Sequence, residues 1–204
     1  AQLDAALKST ANAAGYTRDQ LVSMAEDMAK SSTFSAGEIT QAQTRLLTYT
    51  SIVGDQYPKA LQIAIDQSAR LGLSLTQSAE IIGRALETPS RGVASLTRQG
   101  FNFTEAQKDL LKSLEDTGRV AEAQRIVMDV LTESYGGAAA AARNTLGGAL
   151  TAVRNAFSDL ITGDKNSITG VTVAVNELAD TLSSPNIKAG FSGLIQSIAA
   201  VGTA

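Results

Sequence analysis

Four times in the first half of the chain, a Ser or Thr is followed three residues later by Glu or Gln. The pairs are Thr17…Gln20, Ser35…Glu38, Ser74…Gln77 and Thr104…Gln107. This spacing is the capping box of a helix start. The hydroxyl satisfies an orphan backbone N–H, and the longer side chain reaches back to the N-cap N–H. A chain with so many starts cannot be one long helix. It must be a series of short ones.

Apolar spacing agrees. Leu21, Met24, Ala25 and Met28 form one stripe, and Leu61, Ala64, Ile65, Ser68 and Leu71 another. Ala79, Ile82, Ala85 and Leu86 form a third, followed by Leu110, Leu111 and Leu114, then Val120, Ala123, Val127, Val130 and Leu131. Steps of three and four are helical periodicity, not strand alternation. Stops fall at Gly54 with Pro58, Gly72, Pro89, Gly92, Gly100 and Gly118. Helices are therefore expected at 2–13, 18–32, 36–52, 58–71, 75–88, 92–99, 105–117 and 119–134. Short connections make antiparallel neighbours of them.

Beyond Tyr135 the texture changes. Gly136-Gly137 precedes five alanines, and nine of the 17 glycines lie in this last third. Glycine weakens an isolated helix by about 1 kcal/mol relative to alanine, so helices expected at 137–161, 169–183 and 186–202 depend on neighbours. The expected fold is all-α: a multi-helix bundle of short helical hairpins over 1–134, then an Ala/Gly-rich helical extension over 135–204.

The stretch Glu87–Lys108, ETPSRGVASLTRQGFNFTEAQK, concentrates the punctuation and two of the five Phe. Pro89 stops the preceding helix by clashing with the turn before it. Gly92 gives a further break, Val93 and Leu96 share a face, and Gly100 supplies a left-handed end. Phe101 plugs between helices. Phe103 precedes the N-cap, where it can pack on the stem of Lys108 or on Leu111. Thr104 and Gln107 restart the helix. Pro89, Gly92, Leu96, Gly100, Phe101, Phe103, Thr104 and Gln107 together are expected to form a structural corner. An aromatic patch for a partner is the alternative use of the two rings.

Chemistry is sparse. The chain has no Cys, His or Trp, which excludes disulfides, thiolate nucleophiles and the commonest general base and metal ligand. A net charge of −3 argues against a dedicated nucleic-acid binder. Asp66, Glu80, Glu87, Glu105, Glu115 and Asp116 are placed by the pattern at solvated helix positions, and no motif singles out a catalytic pair. No enzyme activity, cofactor or metal is expected. The start Ala-Gln-Leu enters a helical pattern at once, as in a piece cut from a longer protein; a processed secretory N-terminus can begin the same way.

The order of motifs resembles that of the phage and prophage tail tape measure proteins of the lambda type. The resemblance rests on GEITQAQTRLLTYTSI (Gly37–Ile52) and on the run from Gln67 to Ala142. Within that run it follows Arg84-Ala85-Leu86, Pro89, Gly92, Leu96, Arg98, Gly100-Phe101, Phe103-Thr104, Gln107-Lys108, Gly118, Glu122-Ala123-Gln124 and Gly136-Gly137-Ala138. The continuation NTLGGAL also fits, and most of residues 17–160 is covered. The resemblance implies a structural protein that sets tail length during assembly and later takes part in DNA ejection through the host envelope. It implies the tail tube protein, tail tip proteins and tail assembly chaperones as partners, with no sequence-specific nucleic-acid binding. The implied locations are the virion tail lumen, the host cytoplasm during assembly and the host envelope during ejection. A homo-oligomer and contact with the host inner membrane remain open.

Two other functions stay in play. Residues 189–204 carry no charge and suggest a membrane-interacting or pore-forming helical segment, although Ser192, Gln196, Ser197 and Thr203 dilute it. A generic helical adaptor would need a fixed repeat, and no 34- or 40-residue period is found.

Overall fold

A computed structural model describes residues 2–162 and 167–184. All regular structure there is helical, and no strand occurs among the described residues. The helices are α1 (Gln2–Ser9), α2 (Arg18–Lys30), α3 (Ala36–Leu46), α4 (Gln56–Leu71), α5 (Leu75–Glu87), α6 (Pro89–Arg98), α7 (Glu105–Asp116), α8 (Val120–Tyr135), α9 (Ala138–Arg143), α10 (Leu146–Thr162) and α11 (Ser167–Ser183). The chain divides into two compact units, the first being Ala1–Ala140 and the second starting at Ala141.

The first unit is built around α4. Its middle is buried almost all round, from Tyr57 through Ala60, Leu61, Ile63, Ala64 and Ile65 to Asp66, Gln67 and Ser68. A helix buried on every face belongs in a core, with others wrapped about it. Helices α3, α5 and α8 supply those neighbours. Helix α2 packs outside α3, while α6 and α7 continue from α5 round to α8. Leu21, Ile39, Leu46, Ile52, Ile82, Leu86, Leu96, Leu111 and Leu131 fill the space between.

Helix starts follow local chemistry. Thr17, Ser35 and Thr104 form complete capping boxes with Gln20, Glu38 and Gln107. Ser74 forms only the hydroxyl half, accepting from the Gln77 backbone N–H at 3.2 Å.

Several expected boundaries move. Helix α1 stops at Ser9 because Ala11 (φ 50) and Asn12 (φ 53) turn left-handed. Helix α3 ends at Leu46 rather than 52, since the following segment lies across the core and buries Leu47 and Ile52. Pro89 does more than stop α5: it opens α6 as its first residue, where a missing N–H costs nothing and φ is already set, so that Gly92, expected as a break, lies inside the helix. The helix expected over 137–161 breaks at Asn144 and Thr145 into α9 and α10, with Thr145 Oγ1 accepting from the Gly148 N–H at 3.0 Å.

In the second unit α10 and α11 pack on each other. Ala149, Ala152 and Ala174 are buried there, and Arg143 forms an ion pair with Glu177. Leu150, Phe157, Val173, Val175 and Leu182 are exposed. The helix expected at 186–202 and the uncharged stretch 189–204 lie outside the described residues.

Candidate functional site

The corner at 88–107 is assembled from backbone chemistry first. Helix α6 ends in a Schellman motif. The Gly100 N–H donates to the Thr97 carbonyl at 3.1 Å, and the Phe101 N–H reaches back to the Leu96 carbonyl at 3.1 Å. This needs a left-handed residue between them, and Gly100 has φ +99. Leu96 and Phe101, the apolar pair that accompanies such an end, are both buried. The Phe101 ring then meets the last residue of α8, Tyr135, edge-on at 5.3 Å and 71°. Phe103 is buried in the same apolar cluster as Leu111. Immediately after it, Thr104 Oγ1 accepts from the Gln107 N–H at 3.2 Å, and Gln107 Oε1 accepts from the Thr104 N–H at 2.8 Å.

Gly92 sets how closely α5 and α6 approach. A Cβ there would lie 2.3 Å from the Ala85 carbonyl oxygen and 2.5 Å from the Ala85 Cα. Only a residue without a side chain fits between the two backbones. Pro89, Gly92, Leu96, Phe101 and Phe103 are thus buried within one turn-and-return, while Gly100 and Thr104 are exposed and Gln107 is half-buried.

The expected solvation of the carboxylates is overturned for several of them. Asp66 is buried: its Oδ1 accepts the Ala139 N–H at 2.9 Å, and its Oδ2 accepts from Gln62 Nε2 at 3.2 Å. Glu115, half-buried on α7, accepts the Ser90 N–H at 2.7 Å and also the Ser90 hydroxyl. It clasps the first turn of α6, where orphan N–H groups and the helix dipole favour a negative charge. Glu80, half-buried, is shared between Arg45, at 3.1 Å, and Arg84, whereas Glu87 is exposed as expected and there accepts from the Ser51 hydroxyl at 2.7 Å. Glu105 and Asp116 are exposed as expected.

Gln124 escaped the sequence reading as anything but part of a motif. It is fully buried on α8, and its Nε2 donates to the Ser51 carbonyl at 3.1 Å, the Ser51 hydroxyl at 3.0 Å and the Leu86 carbonyl at 3.0 Å. One amide therefore ties α8 to the end of α5 and to the segment after α3. The partners lie 73 and 38 residues away, so no local pattern reports them. Tyr57 is similar: its hydroxyl donates to the Gln43 carbonyl at 2.9 Å, and burial pushes its pKa well up. Gln43 Nε2 in turn donates to the Leu21 carbonyl at 2.9 Å.

These polar groups do architectural chemistry. Carboxylates accept backbone N–H groups, and glutamine amides donate to backbone carbonyls of other elements. Among the described residues no cluster of three or more potential metal ligands occurs, and no helix is long and apolar enough to cross a membrane.

Such a fold, with its polar contacts spent on joining helices, defines a helical structural module. The family described as prophage tail length tape measure protein matches residues 1–112, more than half of the chain, and the chain belongs to that family. The match takes in the first helix, which carried none of the quoted motifs, and ends inside α7, ahead of Glu122-Ala123-Gln124. No curated protein and no solved structure matches the chain. Membership gives the chain a phage tail role in length determination, in a family that is structural rather than catalytic.

Proposed function

We propose that residues 1–140 serve the tape measure as a folded module carried along the chain, and not as a stretch of the ruler. The observation that carries this is the shortness of the helices within a family whose task is length. The longest helix of the unit has 16 residues, or roughly 24 Å. The 140 residues drawn out as one helix would span roughly 210 Å. Folding back on a shared core forfeits most of that reach. The unit's polar ties, buried Gln124 and half-buried Glu115 above all, also resist being drawn out.

On this reading the module works in assembly through contacts with tail components: the tube protein, the tip proteins and the assembly chaperones. Its later role is in DNA ejection through the host envelope. Family membership supports both, together with the compactness that suits a contact surface better than a spacer.

The test is an in-frame deletion of residues 2–140 from the full tape measure gene, with tail lengths read by electron microscopy. The module reading expects no tails, or tails of normal length that fail to deliver DNA. Tails shortened by roughly 210 Å would show that these residues do the measuring.

A further inference from the structure

Between α5 and α6 the surface holds an open groove of about 340 Å³. Its origin is the close approach at Gly92 and Ala85: where two helices meet without side chains, the valley beside them is left unfilled. The floor is apolar, with Ile81, Ala85 and Leu96. The rim carries two guanidinium groups, Arg84 and Arg91, and no carboxylate lines it. Both arginines are exposed.

The groove's own lining is cationic, with Arg84 and Arg91 and no carboxylate, in a chain whose net charge is −3. Helix α6 contains Arg91 and Arg98 and no acidic residue. Glu80 is the carboxylate paired with Arg84, and it is also held by Arg45, so one negative charge faces two positive ones. Glu87, next along α5, is hydrogen-bonded to Ser51. Arg84 can therefore turn outward while Glu80 keeps Arg45.

We propose that this groove docks an acidic amphipathic helix of a partner protein. One apolar side chain of that helix enters the valley over Ile81 and Leu96, and carboxylates a helical turn away pair with Arg84 and Arg91. Helix-in-groove recognition has this form, an apolar anchor with a charged surround that fixes orientation. The apolar floor favours a peptide over a nucleic-acid backbone, whose contacts would be phosphate with arginine alone.

The experiment uses the 204-residue chain and a labelled helical peptide with one leucine flanked by glutamates a turn to either side. Binding is followed by fluorescence anisotropy and located by amide chemical shifts. The expected result is shifts confined to α5 and α6, and affinity about tenfold weaker in Arg84→Glu and in Arg91→Glu. A peptide with lysines for glutamates is expected to bind the double charge-reversal variant in preference to the native chain. Circular dichroism melts of the variants check that these exposed substitutions leave the fold intact. No binding by the acidic peptide, or equal binding by native and variant chains, would overturn the proposal. So would tighter binding of a DNA duplex that is lost in the same variants, which would make the groove a phosphate-binding face.

Discussion

Replacing Gly92 by alanine puts two physical effects in direct opposition. Gly92 lies inside α6, and in a helix interior Gly→Ala is worth about 1 kcal/mol of added stability from propensity alone. The structure adds an obstacle. The new Cβ would sit 2.3, 2.5 and 2.8 Å from the carbonyl oxygen, Cα and carbonyl carbon of Ala85. These are backbone atoms of a packed helix and cannot rotate away, so α5 and α6 must separate by about 1 Å to reach ordinary contact. Overpacking of this kind costs about 1–3 kcal/mol, and a rigid backbone contact belongs at the upper end. The expected net change is a loss of about 1–2 kcal/mol. Gly37, in the first turn of α3, is the control. A Cβ there meets nothing nearer than Ser35 Oγ at 3.9 Å, so Gly37→Ala should stabilise by up to about 1 kcal/mol. Urea unfolding followed by circular dichroism gives both values, with an unchanged m-value showing that the same surface is exposed. A Gly92→Ala midpoint equal to or above the native one would refute the close approach of α5 and α6, and with it the origin assigned to the groove.

Three further outcomes are expected. Phe101→Ala removes a buried ring and its edge contact with Tyr135 and should cost about 3–5 kcal/mol in urea unfolding; a loss below about 1 kcal/mol would deny the ring an anchoring role. Gln124→Leu leaves the Ser51 and Leu86 carbonyls without their shared donor and should cost about 1–3 kcal/mol, whereas an exposed glutamine such as Gln41 changed the same way should cost little. Tyr57 should make the fold sensitive to alkali. Burial raises its folded-state pKa above the ordinary 10.0, so its contribution is complete below that value and is lost as pH rises beyond it, at up to about 1.4 kcal/mol per pH unit. Tyr57→Phe should flatten the fall in thermal stability above pH 10, and an unchanged slope would show that the phenol is free to ionise in the folded state.

Capping explains why much of the architecture was legible in the sequence. Thr17, Ser35 and Thr104 act on N–H groups three residues away, so their effect is written within a single turn. Gly100 announces its left-handed turn in the same way, because few other residues tolerate that backbone conformation. Phe101 and Phe103 could be assigned to the interior from their rarity and their place beside a helix start. Misreadings arose where an element answers to something distant. Ala36–Leu46 would run on by its own preferences, yet the chain leaves the helix there so that Ile52 can be buried and Ser51 can meet Gln124 and Glu87.

The carboxylates divide on the same line. Glu105 and Asp116 stay in water, where a charged side chain belongs by default. Asp66 and Glu115 leave it because Ala139 and Ser90, far along the chain, present N–H groups that compensate for the lost solvation. The groove between α5 and α6 belongs with these, since it exists only where Gly92 and Ala85 come together. Short-range forces set by adjacent residues decide which segments are helices and where most of them begin. Which faces meet, which charges are drawn inside and where the surface is left hollow depend on partners brought together by folding, and no window along the chain contains both members of such a pair.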